Sequence, residues 1–201
     1  MKNMDPKYII ELTVKLFVTC LVVAGLLGGV NAITADKIAA INLANTQAAM
    51  KEVVADPANT SFSDALEVTE EMKGAAASAG ASVTEAYEVQ VGGAVAGHAL
   101  KIVASGSQGS IEMMVGLDAD GAVTGVAVVK NAETAGIGSK VMDNEPNSKG
   151  MPVLDQFIGK SAADGVLSVG SNVDAITGAT VSTKGITTGV NAAIAVAGVM
   201  G

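Results

Sequence analysis

Several residue types are scarce or missing from this chain, and each absence limits what the protein can do. Among its 201 residues there is no tryptophan, and there are only two tyrosines and three phenylalanines. All twelve basic residues are lysines, against twenty acidic residues, so the net charge is −8. This balance argues against nucleic-acid binding, which usually requires a basic surface. Because aromatic residues are so few, the core must be built from Val, Ile, Leu, Met and Ala, and a stacking cofactor would rest against aliphatic groups.

The chain also has a single cysteine and a single histidine. Cys20 lies in the apolar N-terminal segment, so the rest of the chain can form no disulfide and no cysteine-ligated metal or iron–sulfur site. His98 alone cannot build a histidine-based zinc site, and no nearby cysteine is available for it to activate. We expect His98 to be a partly exposed strand or turn residue. Hydrolase triads and metal-centre chemistry are disfavoured, and any redox role requires an organic cofactor.

The N-terminal segment is long and apolar. Residues 16–32 are almost wholly apolar, and with the apolar positions before them they exceed the roughly 20 residues that a bilayer requires. Lys2, Lys7 and Lys15 precede this core, and Lys37 is the nearest lysine after it. The bias favours a cytoplasmic N-terminus. The sequence therefore predicts a single-pass anchor in the cell (inner or cytoplasmic) membrane, residues 1–34, followed by one extracytoplasmic domain, residues 35–201.

Two other interpretations of this segment remain open. A cleavable signal peptide is one, because Val30-Asn31-Ala32 is small enough for a peptidase site. The apolar stretch is nevertheless long for a signal-peptide core of about 7–15 residues, which favours an uncleaved anchor. Ile9-Ile10-Glu11-Leu12 resembles the start of a type IV pilin, but Pro6-Lys7 stands where a pilin has its glycine.

The remaining pattern predicts an α+β fold, with antiparallel strands and flanking helices. Gly92-Gly93 and Asp120-Gly121 each lie between two apolar alternating segments, which indicates two hairpins. Asp118-x-Asp120-Gly121 could also begin a calcium loop, but the other ligands are absent. Strands are predicted at 86–91, 95–103, 111–117 and 122–130, with short ones at 165–169 and 173–176. Helices are predicted at 38–54, 64–73, 153–160 and 184–200, with a surface loop at 75–82 and Ser182 and Thr183 as N-cap residues of the last helix.

A glycine-containing loop follows the last long strand. It reads Glu133-Thr134-Ala135-Gly136-Ile137-Gly138-Ser139-Lys140. Two glycines two positions apart allow a tight backbone path that can approach a ligand closely. The third glycine and the strand–helix–strand context of a dinucleotide-binding fingerprint are missing.

Near the C-terminus, Asp174-Ala175-Ile176-Thr177-Gly178-Ala179-Thr180 resembles the flavinylation motif Asp-x-x-Ser/Thr-Gly-Ala-Thr. In that motif the last threonine carries FMN through a phosphoester bond. Small residues around Thr180 leave room for a bulky group, and a phosphate there would lie beside a helix N-terminus, which favours anions. The alternative is an ordinary turn of small residues before a helix.

The motifs also occur in a characteristic order: the apolar segment, the hairpin ending in Asp120-Gly121, the glycine loop and then the threonine motif. In this order the chain resembles the G subunit of the Rnf ion-translocating ferredoxin:NAD oxidoreductase and, more distantly, the C subunit of the sodium-pumping NADH:quinone reductase. Some positions depart from that pattern. Ala135 and Ile137 stand where the family usually has proline and leucine, Asn131 where histidine is common, and Thr177 where serine is commoner.

The resemblance implies a covalently flavinylated electron carrier. FMN would be attached to Thr180 by a flavin transferase that consumes FAD, with Asp174, Gly178 and Ala179 as recognition elements. The cofactor-binding residues implied are Thr180, Asp174, Thr177, Gly178, Ala179, Ser182, Glu133, Thr134, Gly136, Ile137, Gly138 and Lys140. The stretch from Glu133 to Gly138 would lie over the isoalloxazine ring, and Lys140 near a phosphate or flavin oxygen.

On this interpretation the protein transforms no substrate of its own and relays electrons between other membrane subunits of the Rnf complex. One flavin requires partners that supply and remove electrons. Two alternatives stay open at this point. One is a membrane-anchored binding or structural protein of pilin or adhesin type without flavin, and the other is a stand-alone extracellular flavin reductase.

Overall fold

A computed structural model describes residues 6–200, which divide between two compact units, Met1–Leu43 and Ala44–Gly201. The first helix, α1, runs from Pro6 to Glu52. At 47 residues it is about 70 Å long at 1.5 Å per residue. Within 6–200 it is the one helix long and apolar enough to cross a membrane. The boundary predicted between residues 34 and 35 lies inside α1 and stays a prediction, and Lys2 lies outside the described residues.

The second unit is built on an antiparallel sheet. Its five strands are hydrogen-bonded in chain order, as β1 (Thr60–Phe62), β2 (Ser82–Val91), β3 (Ala94–Ser105), β4 (Ser110–Asp118) and β5 (Val123–Lys130). The two hairpin predictions are confirmed, and in the first turn Gly92 and Gly93 have φ values of 62° and 85°. Positive φ at both central positions is what a tight hairpin turn requires, and glycine adopts it without steric cost. The predicted α+β fold with antiparallel strands is therefore confirmed.

Each face of the sheet is covered by different helices. Along β4, Met113 and Val115 point into one core, whereas Met114 points into the other, as the period of two in a strand requires. The larger core packs against α2 (Glu70–Ser78) and α4 (Thr180–Met200). The smaller core contains Ala49 and Met50 in the last turns of α1 and Val53 immediately after the helix, all of them buried.

The end of α1 is held on the sheet by two close approaches. A Cβ placed at Gly116 would lie 2.4 Å from the carbonyl oxygen of Val53, and one at Gly125 would lie 2.8 Å from the Val53 Cα. Thr124 Oγ1 also donates to that carbonyl at 2.6 Å. Beside this contact, Lys101 pairs with Glu85 at 2.9 Å and donates to Thr46 of α1 at 3.4 Å. The two glycines therefore leave the space into which Val53 packs.

The region predicted as a loop with a short helix at 64–73 is different in the structure. The helix is α2, Glu70–Ser78, so the surface loop predicted at 75–82 is wrong. Thr69 caps α2 by accepting a hydrogen bond from the Met72 amide at 3.3 Å. Met72 and Ala76 are buried on one face. A run of alanines has high helix propensity. Two apolar residues one helical turn apart, here Met72 and Ala76, are enough to pack one face of the helix against the core.

The segment between the sheet and α4 contains little regular structure. The strands predicted at 165–169 and 173–176 are wrong, because only a single bridge joins Val169 and Val173. Gly165 and Gly170 have φ of 71° and 89°, which bends the chain out of the extended conformation. Of the helix predicted at 153–160, only a 3₁₀ turn, Asp155–Phe157, is present, and Ile158 after it is extended. A second 3₁₀ turn spans Ala162–Asp164, and the short helix α3 spans Ser139–Met142.

The start of the last helix also differs from the prediction. α4 begins at Thr180, so Ser182 and Thr183 lie inside its first turn and are buried rather than acting as N-caps. Thr183 Oγ1 donates back to the carbonyl of Ala179 at 3.0 Å. Because its hydroxyl donates to the carbonyl four residues earlier, a buried threonine in a helix does not leave that hydroxyl without a hydrogen-bond partner.

Candidate functional site

Thr180 is exposed at the N-terminus of α4. Thr177 and Gly178 before it are exposed as well, whereas Ala179 is 3% exposed and packs into the core. Gly178 has φ of 86°, which turns the chain into the helix, and glycine is the residue best suited to that conformation. Within residues 6–200 the Thr180 hydroxyl has no hydrogen-bond partner. Its oxygen is therefore free and accessible.

The backbone around Thr180 presents donors without acceptors. The first intrahelical bond is made by the Thr183 amide, to the carbonyl of Ala179 at 2.9 Å. The amides of Val181 and Ser182 have no acceptor in the described part of the chain. The first turn also contains no acidic residue. Unpaired N–H groups and the positive end of the helix dipole attract an anion.

Asp174 is fixed by contacts that the sequence did not reveal. Its carboxylate pairs with Lys149 at 2.7 Å. The Gln156 side chain accepts from the Asp174 amide at 2.7 Å and donates to its carbonyl at 3.0 Å. Lys149 and Gln156 stand 25 and 18 residues before Asp174, and no local pattern marks either. Through Gln156, the turn that leads to Thr180 is thus attached to the 3₁₀ turn Asp155–Phe157.

Glu133 connects three segments of the chain. Its Oε1 accepts from the amides of Ser107 at 2.7 Å and Gln108 at 3.3 Å, in the turn between β3 and β4. Its Oε2 accepts from the hydroxyl of Ser182, in the first turn of α4. The predicted contact of Glu133 with the flavin ring is through its backbone and stays a prediction, while its carboxylate is directed toward these protein donors. We call this set of contacts the Glu133 clasp.

Glycines make the clasp possible. A Cβ at Gly106 would lie 2.2 Å from Glu133 Oε1, and one at Gly138 would lie 2.3 Å from Oε2 and 2.8 Å from Ser182 Oγ. A Cβ at Gly185 would lie 2.7 Å from the carbonyl oxygen of Ser105. Any larger residue at these three positions would push the turn, the loop and the helix apart. The sequence showed glycines at these positions but not which atoms they meet.

The exposed part of the glycine loop is held mainly by its own backbone. The carbonyl of Thr134 accepts from the amides of Ile137 and Ser139, both at 3.2 Å. Ser139 Oγ accepts from the Gly136 amide at 2.9 Å. Ile137 is 52% exposed, although it is apolar.

The structure brings together only some of the predicted site residues. Glu133, Gly138 and Ser182 meet directly, and Ser182 shares the first turn of α4 with Thr180. Among the residues described, the remaining loop positions make no hydrogen bond to the threonine motif; these are Thr134, Gly136, Ile137 and Lys140.

A cleft in the second unit lies away from this surface. It has a volume of about 550 Å³ and lies beside the C-terminal half of α4, where Asn191 and Ile194 line it together with Val166. None of the predicted site residues lines it. Residues 6–200 also contain no cluster of three or more His, Cys, Asp or Glu side chains that could hold a metal ion. The candidate site is therefore a surface around Thr180 rather than a deep pocket.

Comparison with known proteins agrees with this location. Residues 106–195 match the family described as FMN-binding domain, a range that includes both the Glu133 clasp and Thr180. The G subunit of the Na(+)-translocating ferredoxin:NAD(+) oxidoreductase complex of Acetobacterium woodii is 32% identical, over 96% of this chain and 94% of that protein. The G subunit of the ion-translocating oxidoreductase complex of Methanosarcina acetivorans is 28% identical, over 94% of this chain and 95% of that protein.

A shorter match is found in the same group of proteins. The G subunit of the ion-translocating oxidoreductase complex of Aliivibrio fischeri is 30% identical over 54% of this chain and 52% of that protein. The apolar helix α1 and these relatives, which are named as subunits of ion-translocating complexes, together indicate a single-pass membrane protein. The similarity to the Acetobacterium woodii protein extends over nearly the whole length of both chains. The chain therefore belongs to the family of G subunits of Rnf ion-translocating oxidoreductase complexes.

Proposed function

We propose that this protein is the flavin-carrying electron-transfer subunit of an Rnf ferredoxin:NAD oxidoreductase, with FMN attached covalently to Thr180. The observation that carries the proposal is the exposed and unpartnered Thr180 hydroxyl at the N-terminus of α4, within the FMN-binding match. The free amides of Val181 and Ser182 provide two donors for a phosphate oxygen. A phosphodiester is a permanent anion, so the positive end of the helix dipole stabilises it.

The accessibility of Thr180 supports modification after folding. Because its side chain is exposed in the folded domain, a flavin transferase can reach the hydroxyl without unfolding α4. Asp174, held by Gln156 and paired with exposed Lys149, lies at the surface turn that precedes it. We infer that the transferase recognises Asp174 together with Gly178 and Ala179, and transfers FMN from FAD to Thr180 Oγ1 with release of AMP.

The Glu133 clasp would position the flavin site. It ties the first turn of α4 to the glycine loop, so a flavin on Thr180 and exposed Ile137 belong to one surface. An aliphatic side chain can cover part of the isoalloxazine ring in a protein that has no tryptophan. When bound, FMN supplies electron storage and transfer. The residues of this chain fix its phosphate and hold the surrounding loops in place.

The relatives suggest the partners. They are named as subunits of ion-translocating oxidoreductase complexes, so the electron donor and acceptor of this protein would be other membrane subunits of the same complex. We infer that α1 anchors the protein in the cytoplasmic membrane with its N-terminus in the cytoplasm, and that the FMN-binding domain is extracytoplasmic. Covalent attachment suits that side of the membrane, where a lost cofactor could not readily be recaptured.

The first test is flavin fluorescence of the denatured polypeptide in a gel. The chain is co-expressed with a flavin transferase beside Thr180→Ala and a matched control, Thr188→Ala, which alters a threonine two turns further along the same helix. We expect fluorescent wild-type and Thr188→Ala bands and a dark Thr180→Ala band. Dark bands throughout, with a transferase shown to be active on another substrate, would refute the proposal and favour an anchored binding protein of pilin or adhesin type.

A second measurement separates the complex subunit from a stand-alone flavin reductase. The flavinylated protein is purified in mild detergent from its native membrane through a tag on this chain. Other membrane subunits should co-purify with it. A flavinylated protein that purifies alone and oxidises a soluble electron donor would instead be a reductase.

A further inference from the structure

Lys184 is the single charged residue in the 21 positions of α4. It is exposed, and within residues 6–200 it forms no ion pair or hydrogen bond through its side chain. Lys149 differs, because it is paired with Asp174 at 2.7 Å. An exposed and unpaired lysine is common on protein surfaces. Its position in this helix is what makes it informative.

A cation near the N-terminal end of a helix is unfavourable by itself. The helix dipole is positive at that end, so acidic residues are favoured there and basic residues are disfavoured. Helix α2 follows the rule, since it begins with Glu70 and Glu71. α4 has no acidic residue in its first turn and carries Lys184 immediately after it. An anion bound at this end would remove the conflict, because it would attract both the helix terminus and the ammonium group.

The geometry of the helix brings Lys184 toward Thr180. Residues four apart on an α-helix lie on the same face, with Cβ atoms about 5–6 Å from each other. Helical side chains lean toward the N-terminus, so a lysine covers the turn before its own Cα. The ammonium group of Lys184 can therefore reach a group esterified to Thr180 Oγ1, which the same face of α4 exposes.

We propose that Lys184 is the cationic residue that binds the phosphodiester of FMN on Thr180, and that it shares this anion with the amides of Val181 and Ser182. The inference rests on the proposed function, because it requires a phosphate at Thr180. The family resemblance implies that Lys140, in α3, lies near a phosphate or flavin oxygen, and that contact stays a prediction. Lys184 thus holds the phosphate end of the cofactor, and contacts to the isoalloxazine ring come from the glycine loop.

The test compares the reactivity of individual lysines in the full-length chain in detergent. Protein with and without flavin is treated briefly with an acetyl N-hydroxysuccinimide ester, and acetylation at each lysine is quantified by peptide mass spectrometry. An ammonium group held by a phosphate must leave it before it can react. We expect Lys184 to react about 1.4- to fivefold more slowly in the flavinylated protein, which is the range for an exposed ion pair. Lys51, an exposed lysine at the end of α1, is the matched control and should not change.

Added salt separates ion pairing from simple coverage by the flavin. At about 1 M salt the Debye length falls to about 3 Å, so an exposed ion pair weakens and the protection of Lys184 should largely disappear. Flavin on Thr180 with unchanged reactivity of Lys184, or with protection that salt does not reduce, would overturn the role of Lys184 and leave the proposed function intact. Absence of flavin from Thr180 would overturn both.

Discussion

Replacement of Glu133 by alanine should destabilise the FMN-binding domain strongly, because one carboxylate holds three segments together. The change removes the acceptor of the Ser107 and Gln108 amides and of the Ser182 hydroxyl. Glu133→Gln is the informative partner variant. Its amide oxygen can still accept from the two backbone amides, and its NH₂ group can donate to Ser182 Oγ.

The magnitude follows from the exposure of the three donors. A hydrogen bond to a charged group contributes about 1.5–3 kcal/mol, so three of them set an upper limit of roughly 5–9 kcal/mol. Ser107 and Gln108 are exposed, so water can replace the carboxylate there and much of that contribution is recovered. Ser182 is only 2% exposed, and a buried hydroxyl left without a partner costs about 1–3 kcal/mol. We therefore expect a loss of about 2–4 kcal/mol for Glu133→Ala and about 1 kcal/mol for Glu133→Gln.

The assay is pulse proteolysis of the full-length chain in detergent across a urea series, which reports the unfolded fraction of the domain even while α1 stays in the micelle. Glu67→Ala, at an exposed glutamate that makes no side-chain hydrogen bond in the described structure, serves as the control and should lie within about 0.5 kcal/mol of wild type. The reasoning fails if Glu133→Ala matches Glu67→Ala. It also fails if Glu133→Gln is as unstable as Glu133→Ala, since the clasp would then not depend on hydrogen-bond acceptance.

Four further substitutions are compared with wild type by the same urea assay. Gly138→Ala should cost about 1–3 kcal/mol, because its Cβ would lie 2.3 Å from a carboxylate oxygen. Gly74→Ala, inside α2 with no atom within 4 Å of the new Cβ, should instead stabilise by about 0.5–1 kcal/mol, and equal effects would contradict this account. Gly125→Ala should cost about 1–3 kcal/mol of stability, because the new Cβ would lie 2.8 Å from the Val53 Cα. It should also increase amide hydrogen exchange at the end of α1. Unchanged exchange would show that Val53 does not pack tightly against Gly125. Burial opposes ionisation of Glu85, but hydrogen bonds from Tyr87 and Lys101 and the charge of Lys101 outweigh it, so the pKa of Glu85 falls below its ordinary 4.5. A lowered pKa adds stability above about pH 4.5 that is lost as the pH falls. Tyr87→Phe removes one of the hydrogen bonds that lower the pKa of Glu85, so this variant should lose less stability than wild type between about pH 5 and 3. Parallel pH profiles of the two proteins would contradict this.

The apolar N-terminal helix and the hairpins could be predicted from the sequence because their signals are local. An apolar run long enough for a bilayer and two glycine-containing turns between alternating strands depend on neighbouring residues only. The position of helix α2 could not be predicted, because its alanines have no strong polar–apolar period and their pattern is also typical of a surface loop. The burial of Met72 and Ala76 against the sheet determines that helix, and such packing between distant segments leaves no local pattern.

The candidate site divides in the same way. Thr180 could be proposed as a site residue from a seven-residue motif, and a helix close after it could be predicted from the residues that follow, although that helix begins at Thr180 itself. The role of Glu133 could not be identified, since its partners at Ser107 and Ser182 lie 26 and 49 residues away in the chain. The same holds for Lys149 and Gln156 around Asp174. Short motifs and periodicity are properties of neighbouring residues, so they are visible in one dimension. Which carboxylate meets which amide is decided only when the sheet and α4 pack together and bring those segments within hydrogen-bonding distance.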